Sequence, residues 1–167
     1  MTRSEAGRGV VGVGWLVTSL LIAACTGSSG HLARTACELL TNNEVEHATA
    51  ATVTKSGPTQ LAVDSTSLPR PAGVTACSFE TNGSFGAVLV ILQRPGLRAF
   101  DDARNRRSSD ASPLADVPGL GDRAFTVHEG VSVVIADTYI SVSSQNETAG
   151  FSTIAIQLAR IAIPRAG

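Results

Sequence analysis

The sequence predicts an α+β domain in which an antiparallel β-sheet is sandwiched by helices. Two observations carry this. The first is the order of elements: a helix, hairpin-linked strands, a second helix, three more strands and a closing helix. Runs of hairpin-linked strands interrupted by helices give an antiparallel sheet with helices packed on it. The second is the stretch Phe85 to Gln93. There Phe85, Ala87, Leu89 and Ile91 point one way, while Val88, Val90 and Leu92 point the other. A strand that is apolar on both sides is central and covered on both sides.

The chain opens with the grammar of a secretory signal. Arg3 and Arg8 supply a positive start, Val10 to Leu21 an apolar stretch, and Ala23-Ala24 the small residues beside a peptidase cut. The competing readings are a membrane-spanning helix and a plain secretory signal with an incidental cysteine. A span needs roughly 20 apolar residues, and this run is shorter and carries Gly12, Gly14 and Thr18. Ile22-Ala23-Ala24-Cys25 resembles the bacterial lipobox. That resemblance implies diacylglycerol transfer to the Cys25 thiol and cleavage before Cys25. The mature protein would then be held by its first residue on the extracytoplasmic face of a cell membrane. Thr26-Gly27-Ser28-Ser29-Gly30 is the small polar spacer such an anchor needs, and two acyl chains hold a protein firmly where one would not. Residues 1–24 therefore read as signal peptide, 25–35 as lipidated tether and 36–164 as a single domain.

Composition excludes several classes. With 13 basic against 14 acidic residues, neither a nucleic-acid footprint nor a strong membrane-surface field is present. Removing the signal leaves roughly 140 residues, enough for one real core. Trp15 leaves with the signal, and the five phenylalanines with Tyr139 mostly fall on core-like patterns, so a stacking platform for sugars or bases loses weight. If Cys25 is taken by lipid, Cys37 and Cys77 remain as an even pair in an oxidising compartment. A bridge between them closes a loop of about 40 residues and stabilises by roughly 3–4 kcal/mol on the chain-entropy model. The alternatives are two buried free thiols or a metal pair, and no histidine or carboxylate cluster accompanies either cysteine.

Along the domain, Ala36 to Leu40 reads as a short helical turn. Thr41-Asn42-Asn43-Glu44 then forms a capping box for a helix running to about Ala50 on a thin apolar stripe of Leu40, Val45 and Ala48. Thr52 to Gly73, with Gly57, Pro58, Pro69 and Pro71, reads as loop with one edge strand around Gln60 to Val63. Val74 to Glu80 and Phe85 to Gln93 flank Asn82-Gly83, a strong two-residue hairpin signal because both residues tolerate positive φ. Pro95-Gly96 stops the second of these strands. Leu97 to Arg107 follows as a helix with Leu97, Phe100 and Ala103 or Arg104 on its packed side. Ser108 to Asp122 is loop. Arg123 to Val127, Val131 to Ala136 and Thr138 to Ser144 form a meander. The last helix spans about Thr148 to Ile163, with Phe151, Ile154, Leu158 and Ile161 as its stripe and Pro164 as its end.

Cys37-Glu38-Leu39-Leu40-Thr41 followed by Glu44-Val45, then Cys77 with Phe79 two residues on, and Val117-Pro118-Gly119-Leu120-Gly121-Asp122-Arg123-Ala124-Phe125 resemble a set of actinobacterial envelope lipoproteins of unassigned function. The resemblance implies a Mog1/PsbP-like domain, an antiparallel sheet between helices, and supports the anchor and the disulfide. The chain departs from that pattern at Ala50-Ala51-Thr52, where relatives tend to show a glycine. The resemblance supplies no catalytic residue.

Chemistry is mostly excluded. His31, His47 and His128 have neither metal-ligand spacing nor a neighbouring nucleophile. Gly27-Ser28-Ser29-Gly30 lies in the tether rather than at a nucleophile elbow, and Gly119-Leu120-Gly121-Asp122 leads into a strand rather than a helix. Asp101-Asp102 reads as a complement to a helix dipole, and Asn146-Glu147-Thr148 as the cap of the last helix. Arg104, Arg106 and Arg107 form the cationic cluster of the chain. As a functional patch it would contact anionic lipid headgroups or a phosphorylated polymer; as a solvated helix end it is favoured by the dipole. No enzyme activity, metal or cofactor is expected. The expectation is a lipid-anchored binding module for an envelope protein or a small amphiphilic ligand, with a carrier of envelope lipid as the alternative.

Overall fold

The computed structural model describes residues 33–61, 72–108, 114–127, 129–146, 148 and 150–167. The signal segment, Cys25, the spacer, His31, His128 and Glu147 lie outside the described residues. Among the described residues Ala33, in the stretch read as tether, is already packed. Ala33 is buried and donates its N–H to the Arg165 carbonyl at 2.7 Å. A 3-10 turn at Ala36–Glu38 leads to α1, Asn42–Thr49. The capping box forms: the Glu44 amide donates to Thr41 Oγ1, and the Glu44 carboxylate accepts from the Thr41 amide at 2.8 Å. Ala50 at φ +52° ends α1 in the left-handed region, where a glycine is the ordinary occupant.

Seven strands make one antiparallel sheet: β1 (Val53–Pro58), β2 (Val74–Thr81), β3 (Ala87–Gln93), β4 (Ala115–Asp116), β5 (Arg123–Val127), β6 (Gly130–Ile135) and β7 (Thr138–Ser144). Their spatial order is β1-β2-β3-β7-β6-β5-β4. The sheet thus joins two meanders at the β3–β7 seam, where Val90 faces Val142 and Leu92 faces Ile140. The helix α2, Leu97–Ser108, connects the two halves, and α3, Phe151–Ala166, closes the chain.

Alternation along the strands divides the core in two. Val88, Val90, Leu92, Val131, Val133, Ile140 and Val142 belong to a large cluster with Leu39, Val45, Phe151 and Leu158. Their neighbours Phe125, Val127, Val134 and Tyr139 form a smaller cluster with Phe100 of α2, and Ile91 packs against it. The central strand is therefore apolar on both faces, as expected, but Val88, Val90 and Leu92 are fully buried whereas Ala87, Leu89 and Ile91 are half-buried. The α2 face is only partly covered.

Several sequence expectations are corrected. The edge strand lies at Val53–Pro58 rather than around Gln60 to Val63; Gln60 and Leu61 are outside the sheet, and residues 62–63 lie outside the described residues. Gly57 and Pro58 signal a loop, yet an edge strand tolerates them because its outer N–H groups need no ladder partner. The β2–β3 connection is not a two-residue turn. It spans residues 82–86, and the positive φ falls on Gly86 at +67° rather than on Asn82 or Gly83. Asn82 is engaged elsewhere: its Oδ1 accepts the Thr52 N–H at 2.9 Å while its own N–H reaches the Thr52 carbonyl. Phe85 precedes β3 and packs its ring on Phe151, centroids 5.2 Å apart.

Leu97 is 48 % exposed rather than packed, leaving Phe100 as the helix's buried anchor. Asp101 and Asp102 pair with Arg123 and Arg98 instead of complementing the start of α2. The carboxylate that serves that helix start is Asp137, whose Oδ1 accepts from the amides of Gly96 and Leu97. β4 is an additional two-residue strand within the predicted loop. The last helix begins at Phe151 behind Gly150, at φ +91°, so Asn146-Glu147-Thr148 is not its cap. Asn146 instead donates its side-chain amide to the Ser84 carbonyl. Pro164 does not end α3. It sits in the last turn, where the missing N–H would have served the carbonyl of exposed Arg160, and Gly167 still bonds back to Ile163. The buried stripe is Phe151, Ala155, Leu158, Ala159 and Ala162, not the isoleucines. Small residues there let α3 lie close against the sheet.

Candidate ligand groove

Register places the uncovered part of the sheet. On the α2 side, Ile91, Ser141, Ser132 and Phe125 form one cross-strand row, and Leu89, Ser143, Gly130 and Val127 form the next. Phe100 packs on Phe125 and Tyr139 and leaves Leu89, Ile91, Ser141 and Ser143 half-buried. The outcome is a hollow of about 290 Å³ with Leu89, Ile91, Phe125 and Val127 as apolar walls. Its floor is polar. Ser132 Oγ and Tyr139 Oη share a buried hydrogen bond of 3.1 Å, and Ser141 and Ser143 add two half-buried hydroxyls. Gly130 lets β6 and β7 approach here, because a Cβ would collide with the Val142 carbonyl. A second hollow of about 230 Å³, bounded by Gln60, Leu61, Ser78, Ala87 and Gln145, shares Leu89 and Ser143 with the first. The two lie side by side over β6, β7, β3 and β2, and the first is the trough.

The mouth of the trough is charged. Arg106 and Arg107 of α2 and Glu129 of the β5–β6 turn line it, with Arg107 and Glu129 ion-paired at 2.5 Å. The Glu129 carbonyl accepts the Ser144 N–H, which fixes the turn to β7. Arg104 points away from this mouth. It bonds Asp116 at 2.6 Å and lies over the Phe125 ring, 5.7 Å from the centroid. That hydrogen bond holds the Asp116 carboxyl below its ordinary pKa and raises that of Arg104. Arg123 lies over Phe100 in the same manner at 4.7 Å and pairs with Asp101 at 2.8 Å. The predicted cationic cluster thus divides: Arg106 and Arg107 face the trough, and Arg104 braces β4. A third hollow of about 440 Å³ lies between Arg104, Arg123 and the Val117–Asp122 turn; it is open and lined by paired charges.

The remaining predicted positions are separate from the trough. Cys37 and Cys77 form the disulfide, Cα atoms 5.0 Å apart, tying the 3-10 turn to β2 on the α3 side of the sheet. His47 is exposed on α1. Among the described residues no group of three or more metal-ligating side chains converges, and no helix is long and apolar enough to cross a membrane. Cys25 lies outside the described residues.

Residue-by-residue reading missed the hydroxyl floor, although its signal is visible. In β7 Ile140 and Val142 alternate with Ser141 and Ser143, the period-2 mark of a strand with one face unlike the other. It also missed two arginines that organise the fold. Arg94 donates to Thr138 Oγ1 and to the carbonyls of Ala33 and Ala166. Arg165 donates to both Glu44 carboxylate oxygens and to the Leu39 carbonyl. These bonds join residues 33–44 to residues 94, 165 and 166, and no local pattern announces them. Comparison with known proteins gave no match: no family model, no curated protein and no solved structure is similar to this chain.

Proposed function

We propose that the chain is a lipid-anchored, non-enzymatic binding module on the extracytoplasmic face of a bacterial cell membrane, and that its trough takes a small amphiphilic ligand. The single observation supporting the site is the composition of the trough: apolar walls, a hydroxyl floor and a charged mouth on one partly covered sheet face. Such a mixture of apolar lining and a few convergent polar groups is the ordinary make-up of a small-molecule site. A ligand is favoured over a protein partner because Leu97 is the one large apolar side chain exposed among the described residues, which leaves little flat apolar surface to dock on. The lipobox reading of Ile22-Ala23-Ala24-Cys25 supports the anchor. The resemblance to actinobacterial envelope lipoproteins with a Mog1/PsbP-like sandwich supports the class, and the two core clusters on alternating strand positions agree with helices on both faces.

The carrier reading has its own support in the second hollow, which shares Leu89 and Ser143 with the first, since an acyl chain needs length more than width. Two measurements test these readings. Metabolic labelling with a fatty-acid probe should mark the native chain and leave a Cys25→Ser variant unmarked; an unmarked native chain removes the anchor. Lipid that co-purifies with Cys25→Ser, which has no acyl chains of its own, would favour the carrier; its consistent absence would favour the reversible binding module.

A further inference from the structure

We infer that the trough takes an uncharged, compact ring compound bearing a carbonyl-type acceptor, which Ser132, Tyr139 and Ser141 hold by their hydroxyl hydrogens. This rests on the ligand-binding reading above and adds the ligand's charge, shape and polar group. Proton bookkeeping carries it. Ser132 is 6 % exposed and Tyr139 8 % exposed, and their hydroxyls bond each other. Whichever of the two donates, the other keeps its own hydrogen, and neither has a further partner among the described residues. Ser141 faces Ser132 directly across the β6–β7 ladder, which puts their Cβ atoms about 5 Å apart. Its half-buried hydroxyl likewise has no partner among the described residues. Two donor hydrogens therefore meet in one row of the floor. A buried hydroxyl hydrogen without an acceptor is costly, and one carbonyl oxygen has two lone pairs to take both.

The mouth favours a neutral ligand. Arg107 is paired with Glu129, and Arg106 also has a partner within the protein. An anionic ligand would have to displace Glu129 from Arg107, and a cationic one Arg107 from Glu129. Shape follows from the register. The floor is two rows deep, about 7 Å along the strands, between apolar walls on β3 and β5. That outline suits two fused rings better than an extended chain. A sugar is disfavoured, because Leu89, Ile91, Phe125 and Val127 would leave its outer hydroxyls without partners.

The test titrates the full chain carrying Cys25→Ser at neutral pH with three probes of one skeleton: 1-tetralone, tetralin and the anion of tetralin-1-carboxylic acid. Calorimetry gives affinity, and amide shifts at Leu89, Ser132 and Ser141 locate the site without any further substitution. Tetralone should bind at least tenfold more tightly than either of the others. Ser141→Ala should remove part of that preference. Adding Ser132→Ala and Tyr139→Phe should remove the rest and leave tetralone at the level of tetralin. Both partners of the buried bond are then apolar, so neither is left unsatisfied in the triple variant. Equal binding of tetralone and tetralin, with shifts at these amides, would overturn carbonyl recognition and leave the trough standing as a ligand site. Tightest binding of the carboxylate there would overturn the selection of a neutral ligand. A tetralone preference that survives the triple variant would overturn the assigned donors. No binding by any probe, or shifts confined to the Val117–Asp122 turn, would overturn both this inference and the trough as the site.

Discussion

The two faces of the sheet are built from the same strands and are finished differently. On the α3 side Val88, Val90, Ile140 and Val142 are fully buried beneath Phe151, Leu158 and a run of alanines, and the Cys37–Cys77 bridge pins the 3-10 turn against them. On the α2 side a single shorter helix covers one end with Phe100, and the rest of the face carries serines between Leu89, Ile91 and Val127. Burial of an apolar side chain contributes about 1.5–3 kcal/mol, so the first face supplies most of the folding free energy. The second can then leave hydroxyls and half-buried leucine in reach of solvent. One face carries most of the packing, and the other is only partly covered.

Breaking the filled face should have the largest effects. Cys37→Ser and Cys77→Ser should each lower stability by about 3–4 kcal/mol, with the double variant no worse than either single in urea denaturation; strictly additive losses would argue against a shared bridge. Leu158→Ala on that face should cost about 3 kcal/mol, and Leu89→Ala on the other about 1 kcal/mol or less. Equal costs for the two leucines would mean that the trough is as well packed as the core.

Smaller effects sharpen the contrast. Arg165 holds the Glu44 carboxyl at a pKa of about 2, against an ordinary value of 4.5, and so links α1 to the end of α3. Because the folded-state pKa is depressed, this contribution is complete above about pH 4.5 and is lost as pH falls through about 2. Glu44→Gln should therefore cost about 1 kcal/mol at neutral pH, a figure reduced for the pair's partial exposure. Its deficit relative to the native chain should shrink between pH 4.5 and 2 in thermal melts. At the bottom of the scale, Ser141→Ala and Ser143→Ala should each change stability by no more than about 0.5 kcal/mol. A larger loss would make these hydroxyls structural rather than exposed for a ligand.

Much of this architecture was legible in local pattern. Thr41 and Glu44 announced a helix start that forms atom for atom, because a capping box is complete within four residues. The alternation in Phe85 to Gln93 located the central strand, although a doubly apolar strand did not say how fully each face would be covered. Errors arose where tertiary partners override local preference. Asn82-Gly83 is a hairpin signal in isolation, yet Asn82 is drawn to Thr52, thirty residues earlier in the chain. Pro164 normally terminates a helix, but it falls in the last turn, where only one backbone bond is lost. Isoleucines mark a helical stripe by hydropathy, while Ala155, Ala159 and Ala162 are buried on α3 beside Phe151 and Leu158. Of the candidate site, Arg106 and Arg107 were identified by charge. The serines that share the trough with them were not, because a serine in a strand is unremarkable until the register shows its neighbours.

The guanidinium of Arg94 ties Ala33, the last turn of α3 and the start of β7 at one point. Ala33 and Ala166 therefore lie at the same pole of the described fold, with the 82–86 loop at the other end of β3. A load applied upstream of Ala33 would be shared at once by a helix and a hairpin rather than peeling either away. A fluorescent tag fused after Gly167 would report from beside Ala33, whereas one inserted at Ser84 would report from the far end.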